Sequence, residues 1–148
     1  MQVQILMCSL GVWVLVLGLV LGFAISCGLG HFIVGYFLRR LREYIGLPPK
    51  EEKGTPPWLT GLLERFFFTI AVAVNATGVL PAMIAWLGLK LVANWQLRED
   101  IPDPVTKANY KFTAIVAGLL SMLFAYVGGL VIQWAYFGGL LIQNWSSR

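Results

Sequence analysis

The chain has 148 residues, 58% of them hydrophobic and only 12% charged, whereas an ordinary soluble domain is roughly 45–50% apolar and about 25% charged. That balance excludes intrinsic disorder, and 16 glycines and 7 prolines without a regular repeat exclude a collagen-like fibre. The formal charge is +4, and six of the 11 Lys and Arg, Arg39, Arg40, Arg42, Lys50, Lys53 and Arg65, surround one loop where they interleave with Glu43, Glu51, Glu52 and Glu64. Between apolar spans such a run follows the positive-inside bias, so nucleic acid is not an expected partner.

The first apolar span predicts a helix over residues 5–40. Its opening Met-Gln-Val-Gln has no positive start, and Cys8 follows Ile5, Leu6 and Met7 rather than small residues. Neither a secretory nor a lipoprotein signal is expected. Cys8 and Cys27 are separated by about 28 Å along a straight helix, at roughly 1.5 Å per residue, and read as packing residues. Gly18, Gly22, Ser26 and Gly30 recur every fourth position and form a shallow groove, the feature that lets two membrane helices approach closely. His31 is the single histidine. It reads either as a packing residue or as an axial ligand to a haem or chlorophyll. Leu41, Tyr44, Ile45 and Leu47 fit a short headgroup segment or a helix end running into solvent.

Residues 50–57, rich in proline and charge, predict a loop, and Thr55 with Pro56 predicts the cap and first turn of a second helix over 56–97. Inside it Asn75 and Thr77 precede Pro81, which predicts a kink whose freed backbone groups are satisfied by the Thr77 region. No segment supplies a polar turn that divides the span, so one long tilted crossing is expected. Lys90 is expected to snorkel to headgroups beside Trp86 and Trp95, or else to pair with Glu99, Asp100 or Asp103. Asn75, Thr77 and Lys90 form the candidate polar site within the membrane.

Asp103 and Pro104 predict the cap and first turn of a third helix over 104–144. Ala117, Ser121, Ala125 and Gly129 repeat the small-residue row on it. The Gly138-Gly139 pair predicts a bend towards the membrane surface, with Trp134, Tyr136 and Trp145 near the interface.

These elements predict an all-α integral membrane bundle, one domain over 1–148 with three long transmembrane helices. Counting Lys and Arg by side, the first loop with Arg148 holds seven and the other side four, Lys90, Arg98, Lys107 and Lys111. The first loop is therefore expected in the cytoplasm, the N-terminus outside and the C-terminus inside. The chain has no metal-ligand spacing, no phosphate loop and no nucleophile elbow. An enzyme is not expected, nor is a cofactor, leaving aside the His31 reading.

The runs Leu63-Glu64-Arg65-Phe66-Phe67-Phe68, Ala85-Trp86-Leu87-Gly88-Leu89-Lys90-Leu91-Val92-Ala93-Asn94-Trp95 and Gly118-Leu119-Leu120-Ser121 resemble small uncharacterised bacterial inner-membrane proteins. The resemblance covers about residues 60–130 and implies a bacterial inner membrane and a three-helix layout without an activity. The expected function is a non-enzymatic scaffold or accessory component, surrounded by lipid and assembled with copies of itself through the small-residue faces, or with another membrane protein. A channel or transporter is the second reading, and a pigment- or haem-binding subunit using His31 the third.

Overall fold

The computed structural model describes residues 2–47, 57–96 and 103–146, and among them every regular element is helical. Helix α1 (Gln2–Phe23) continues through a π-helical turn (Ala24–Leu29) into α2 (Gly30–Tyr44); α3 spans Pro57–Ala73, α4 Val79–Gln96 and α5 Pro104–Ser146. Among the described residues two stretches are long and apolar enough to cross a membrane, Ser9–Tyr44 and Pro104–Ile142.

The expected single helix over 56–97 is two helices. The break follows from backbone chemistry that the kink reading overlooked. Asn75 takes φ 51°, its N–H donates to the Val72 carbonyl at 2.9 Å, and the Ala76 N–H donates to Ala71 at 3.0 Å. This is a Schellman ending with Asn at the left-handed position. Gly78, at φ 78°, then accepts the first helical bond of α4 from Ala82. Pro81 thus stands in the first turn of α4, where its missing N–H has no helical acceptor to lose, and does not kink a continuing helix. The first helix ends by the same device at Gly46, φ 65°, with Leu47 N–H bonded to Arg42 and Gly46 N–H to Glu43.

At the start of α5, Asp103 accepts from the backbone N–H of Thr106 at 2.8 Å and of Val105 at 3.4 Å, as its sequence predicts. The helix runs through Gly138 and Gly139 to Ser146 without the expected bend at that pair. The Thr55-Pro56 cap and most of the 50–57 linker lie outside the described residues.

Contacts give the directions. Gly11 meets Gly139, Gly22 meets Gly128 and Gly30 meets Phe124, so α1–α2 is antiparallel to α5. Arg65 bonds Ser121 and Thr69 bonds the Ala125 carbonyl, so α3 is parallel to α5. Lys90 of α4 returns to Glu64 of α3, which makes α3 and α4 an antiparallel hairpin. The result is a four-legged bundle around α5.

The first row of small residues is used within the chain. A Cβ on Gly22 would stand 2.6 Å from the Gly128 carbonyl oxygen, and one on Gly128 would stand 2.8 Å from Ser26 Cβ. Gly18 faces Ala135, while Gly129 turns to α3, 2.9 Å from the Thr69 carbonyl oxygen to a built Cβ. A row spaced by four drifts about 40° per step on an α-helix. The wider π turn winds fewer degrees per residue and counters that drift, so Gly22, Ser26 and Gly30 all stay buried against neighbours.

Large apolar side chains point outward: Trp13 is 65% exposed, Phe32 74% and Trp134 77%. The interior holds Ser26, Glu64, Arg65, Thr69, Thr113 and Ser121 beside Val34, Phe68, Val72, Met83, Leu87, Ala125 and Ile132. An apolar exterior this extensive belongs in lipid.

Two outcomes follow. Gly22→Leu should lower stability by about 1–3 kcal/mol through overpacking, without changing the mass of the detergent-solubilised particle, while Leu19→Ile at an outward position should change neither. Thermal unfolding with mass measurement checks this; an altered mass at unaltered stability would place the row between chains. The Thr106 hydroxyl and N–H, together with the Val105 N–H, hold the Asp103 carboxyl below its ordinary 3.8. A depressed folded-state pKa gives a contribution that is full above the unfolded value and lost as pH falls through the folded one. Protection of the Val105 and Thr106 amides relative to their intrinsic exchange should fall selectively below about pH 3.8, and Asp103→Ala should lack that protection at every pH.

Candidate functional site

Three polar groupings occur along the bundle, each set by the register of the helices. Deepest is a buried chain of hydroxyls: Ser26 Oγ lies 2.6 Å from Thr69 Oγ1, and Thr69 Oγ1 donates to the Ala125 carbonyl at 3.3 Å. Two hydroxyls and a backbone acceptor thereby tie the π turn, α3 and α5 together. Ser26 is available because the π turn brings it inward, and Thr69 because Gly129 lets α5 approach the Thr69 backbone closely enough for its hydroxyl to reach the Ala125 carbonyl. Hydrogen bonds between membrane helices contribute about 0.6 kcal/mol on average.

One turn nearer the loop ends lie the charges. Lys90 Nζ donates to both oxygens of Glu64, at 2.7 and 2.8 Å. Glu64 is buried while Lys90 remains 32% exposed at its side chain. Lys90 is accordingly not a free snorkelling lysine, and it pairs with Glu64 rather than with Asp103, while Glu99 and Asp100 lie outside the described residues. Its partner is 26 residues upstream, a pairing that one continuous helix would hold almost 40 Å apart at roughly 1.5 Å per residue. Beside the pair, Arg65 is 3% exposed and donates from Nη1 to Ser121 Oγ at 3.3 Å.

At the hairpin tip, Asn75, Thr77, Tyr126 and Gln133 border an open cleft of about 360 Å³ between the α3–α4 turn and α5. The candidate polar site is thus divided. Asn75 and Thr77 stand at the tip, and Lys90 stands near the opposite end with Glu64. Between them Phe68, Met83 and Ala125 pack with Val79, Met122 and Tyr126 as an apolar layer.

His31 meets Phe32 and Trp58 edge-on, with ring centroids 5.6 and 6.5 Å away. The three rings share a cavity of about 170 Å³ with Cys27, Gly28 and Leu62. That is below the roughly 300–1,000 Å³ of a typical cofactor pocket, and the groove opens to the outside of the bundle. Among the described residues no three His, Cys, Asp or Glu side chains converge as metal ligands.

Of the small residues singled out, Ser26, Ser121 and Ala125 have polar as well as steric roles, Ala125 through its carbonyl. Ala117 is half-buried and takes no part in the polar contacts. Sequence reading named Glu64 and Arg65 only as charges beside the first loop and gave Thr69 no role. The signal that pointed to them was the Glu64-Arg65 pair inside an apolar helix, where intramembrane charges need partners.

The ion pair provides a direct test. Lys90→Met strands a buried carboxylate and should destabilise the protein by about 2–3 kcal/mol, less than the loss of a fully buried pair because Lys90 is 32% exposed. Adding Glu64→Gln to that variant should recover most of the loss. Chemical or thermal unfolding of the two single variants and the double variant measures the coupling.

Compared with known protein families, curated proteins and solved structures, the chain matches none, so the roles of these groups rest on their own geometry.

Proposed function

We propose that the protein is a non-enzymatic integral component of a bacterial inner membrane, a four-crossing scaffold or accessory subunit. The observation that carries this reading is the one-sided placement of charge once the 56–97 region is a hairpin. Arg39, Arg40, Arg42, Glu43, Glu64, Arg65, Lys90, Asp103, Lys107 and Lys111 all belong to the end of the bundle where α2 finishes and α3 and α5 begin. By sequence, the segments 48–56 and 97–102 join helix ends at that same end. Ten of the 11 Lys and Arg therefore fall on one side, leaving Arg148 on the other.

This replaces the seven-to-four division of a three-helix chain. The charged end faces the cytoplasm, and both chain ends lie outside, so the C-terminus moves to the opposite side from the one a three-helix count gives. The register also supplies a thickness. Trp58 is level with about Ala114 on α5, and Trp134 lies roughly 20 residues further on, about 30 Å away, the depth of a hydrocarbon core.

A scaffold is favoured over a channel because the layer between the charged grouping and the tip cleft is packed with Phe68, Met83 and Ala125, and its hydroxyls, Ser26 and Thr69, are buried and bonded to one another and to the Ala125 carbonyl. The rows that were expected to join copies close the fold of one chain, so association with another copy or with a partner protein uses the outward apolar faces.

A periplasm-active reporter fused after Arg148 should be active, and one inserted between Asp100 and Pro102 should be inactive. The opposite pattern overturns the placement of the charged end in the cytoplasm. Purified protein in proteoliposomes should leave ion flux at the level of empty vesicles; partner-independent conductance overturns the scaffold reading.

A further inference from the structure

The tip of the α3–α4 hairpin gathers polar side chains that the fold itself does not use. Thr77, Tyr126 and Gln133 make no side-chain hydrogen bond among the described residues, and together with Asn75 they line the open cleft of about 360 Å³ between the hairpin turn and α5. Asn75 and Thr77 are exposed, Tyr126 and Gln133 half-buried. Register brings them together. The bonds from Arg65 to Ser121 and from Thr69 to Ala125 each join residues 56 apart, so Asn75 and Thr77 stand level with about residues 131 and 133 of α5. Tyr126 and Gln133 are two turns apart and share one face of that helix. The Tyr126 ring packs against the cluster of Phe68, Met83 and Ala125 and reaches the cleft from its floor.

The lining selects the chemistry of its occupant. None of the residues that line the cleft is charged, and Glu64, Arg65 and Lys90 stand near the opposite end of the hairpin, so an ionic group finds no counter-charge there. An amide offers a carbonyl acceptor and two N–H donors, and a hydroxyl donates and accepts at one atom. Each of the four polar side chains thus works in both senses, which matches neutral hydroxyl groups, whose own bonding needs a donor and an acceptor together. Leu80 and Leu130 add apolar wall beside them, and Leu80 is 54% exposed at the open side. A polar headgroup bonded at the tip has a path there for an attached chain to run into lipid. The volume falls within the roughly 300–1,000 Å³ of small-molecule sites.

We propose that the tip cleft binds a sugar, held by the Asn75 and Gln133 amides and the Thr77 and Tyr126 hydroxyls. The sugar is either the headgroup of a neutral glycolipid or a free saccharide. The cleft is built by the α3–α4 turn and α5 of one chain, so it does not depend on the side of the membrane that it faces or on a scaffold role.

A detergent with a sugar headgroup would compete for the site, so the full-length protein is purified in octaethylene glycol monododecyl ether. It is titrated with glucose in one arm and with mixed micelles of glucosyl dioleoylglycerol in the other; dioleoylglycerol and dioleoyl phosphatidylethanolamine are the controls. Thermal unfolding and saturation-transfer NMR on the sugar protons report binding. Wild type should bind saturably and melt higher in at least one sugar arm. A response to the glycolipid alone assigns a lipid headgroup, and a response to glucose assigns a free saccharide. Gln133→Leu and Tyr126→Phe should each weaken binding by about fivefold, the measure of one hydrogen bond. Both should melt no lower than wild type before ligand is added, because neither polar group has a partner within the chain; side chains serving structure alone give the reverse. Tyr126→Phe keeps the ring and its packing and carries the test if Gln133→Leu does not fold. Absence of saturable binding in both sugar arms, an equal response to either control lipid, or unchanged affinity in the folded variants overturns the site.

Discussion

At Gly22 and Gly128 the first helix and α5 approach until each backbone occupies the space a methyl group on the other would need. Lipid tails give apolar helices no net reason to leave lipid for one another, so the contact must come from fit and from dispersion between atoms that only glycine allows to meet. The rest of the bundle is arranged around that approach. With α1 held against one side of α5, the π turn delivers Ser26 to Thr69, and Thr69 fixes the height of α3 on α5. The height of α3 determines where Glu64 and Arg65 stand, and α4 reaches Glu64 through Lys90.

The interior inverts the pattern of a soluble domain. Phe68 and Met83 form a small apolar layer, but hydroxyls, an ion pair and a guanidinium occupy as prominent a share of the buried volume. Ser26, Glu64, Thr69 and Ser121 find partners on different helices, Thr113 bonds back to the Asn109 carbonyl of its own helix, and the chain meets the needs of Arg65 only in part. Water would exact a heavy penalty for the exposed Leu, Val and Phe side chains of such a molecule, whereas lipid leaves the polar contacts without competition.

What the sequence disclosed was local. The steric rows were readable because glycine and serine spacing is itself the packing surface, and the Asp103-Pro104 start of α5 was readable because capping depends on adjacent residues. The hairpin was missed even though its chemistry is present in Asn75, Gly78 and Pro81: a search for a strongly polar turn outweighed the plain signal of a left-handed residue followed by glycine and a first-turn proline. Once α3 and α4 were taken as one helix, Glu64 and Lys90 were too far apart to pair. The Ser26–Thr69 bond was beyond sequence reading for another reason, since it depends on a π turn that no composition announces and on the relative height of two helices.

The tip of the hairpin has a bearing on how the chain is assembled in the cell. From Val74 to Gly78 it contains no charge, and its two sharp backbone turns are closed by their own hydrogen bonds. A segment of that kind can be carried across a bilayer without dragging an ion through it, provided both legs enter together. On the proposed topology α3 and α4 would enter the bilayer as one hairpin with an uncharged leading tip, and the pairing of Glu64 with Lys90 at its open end keeps both charges at the side from which it enters.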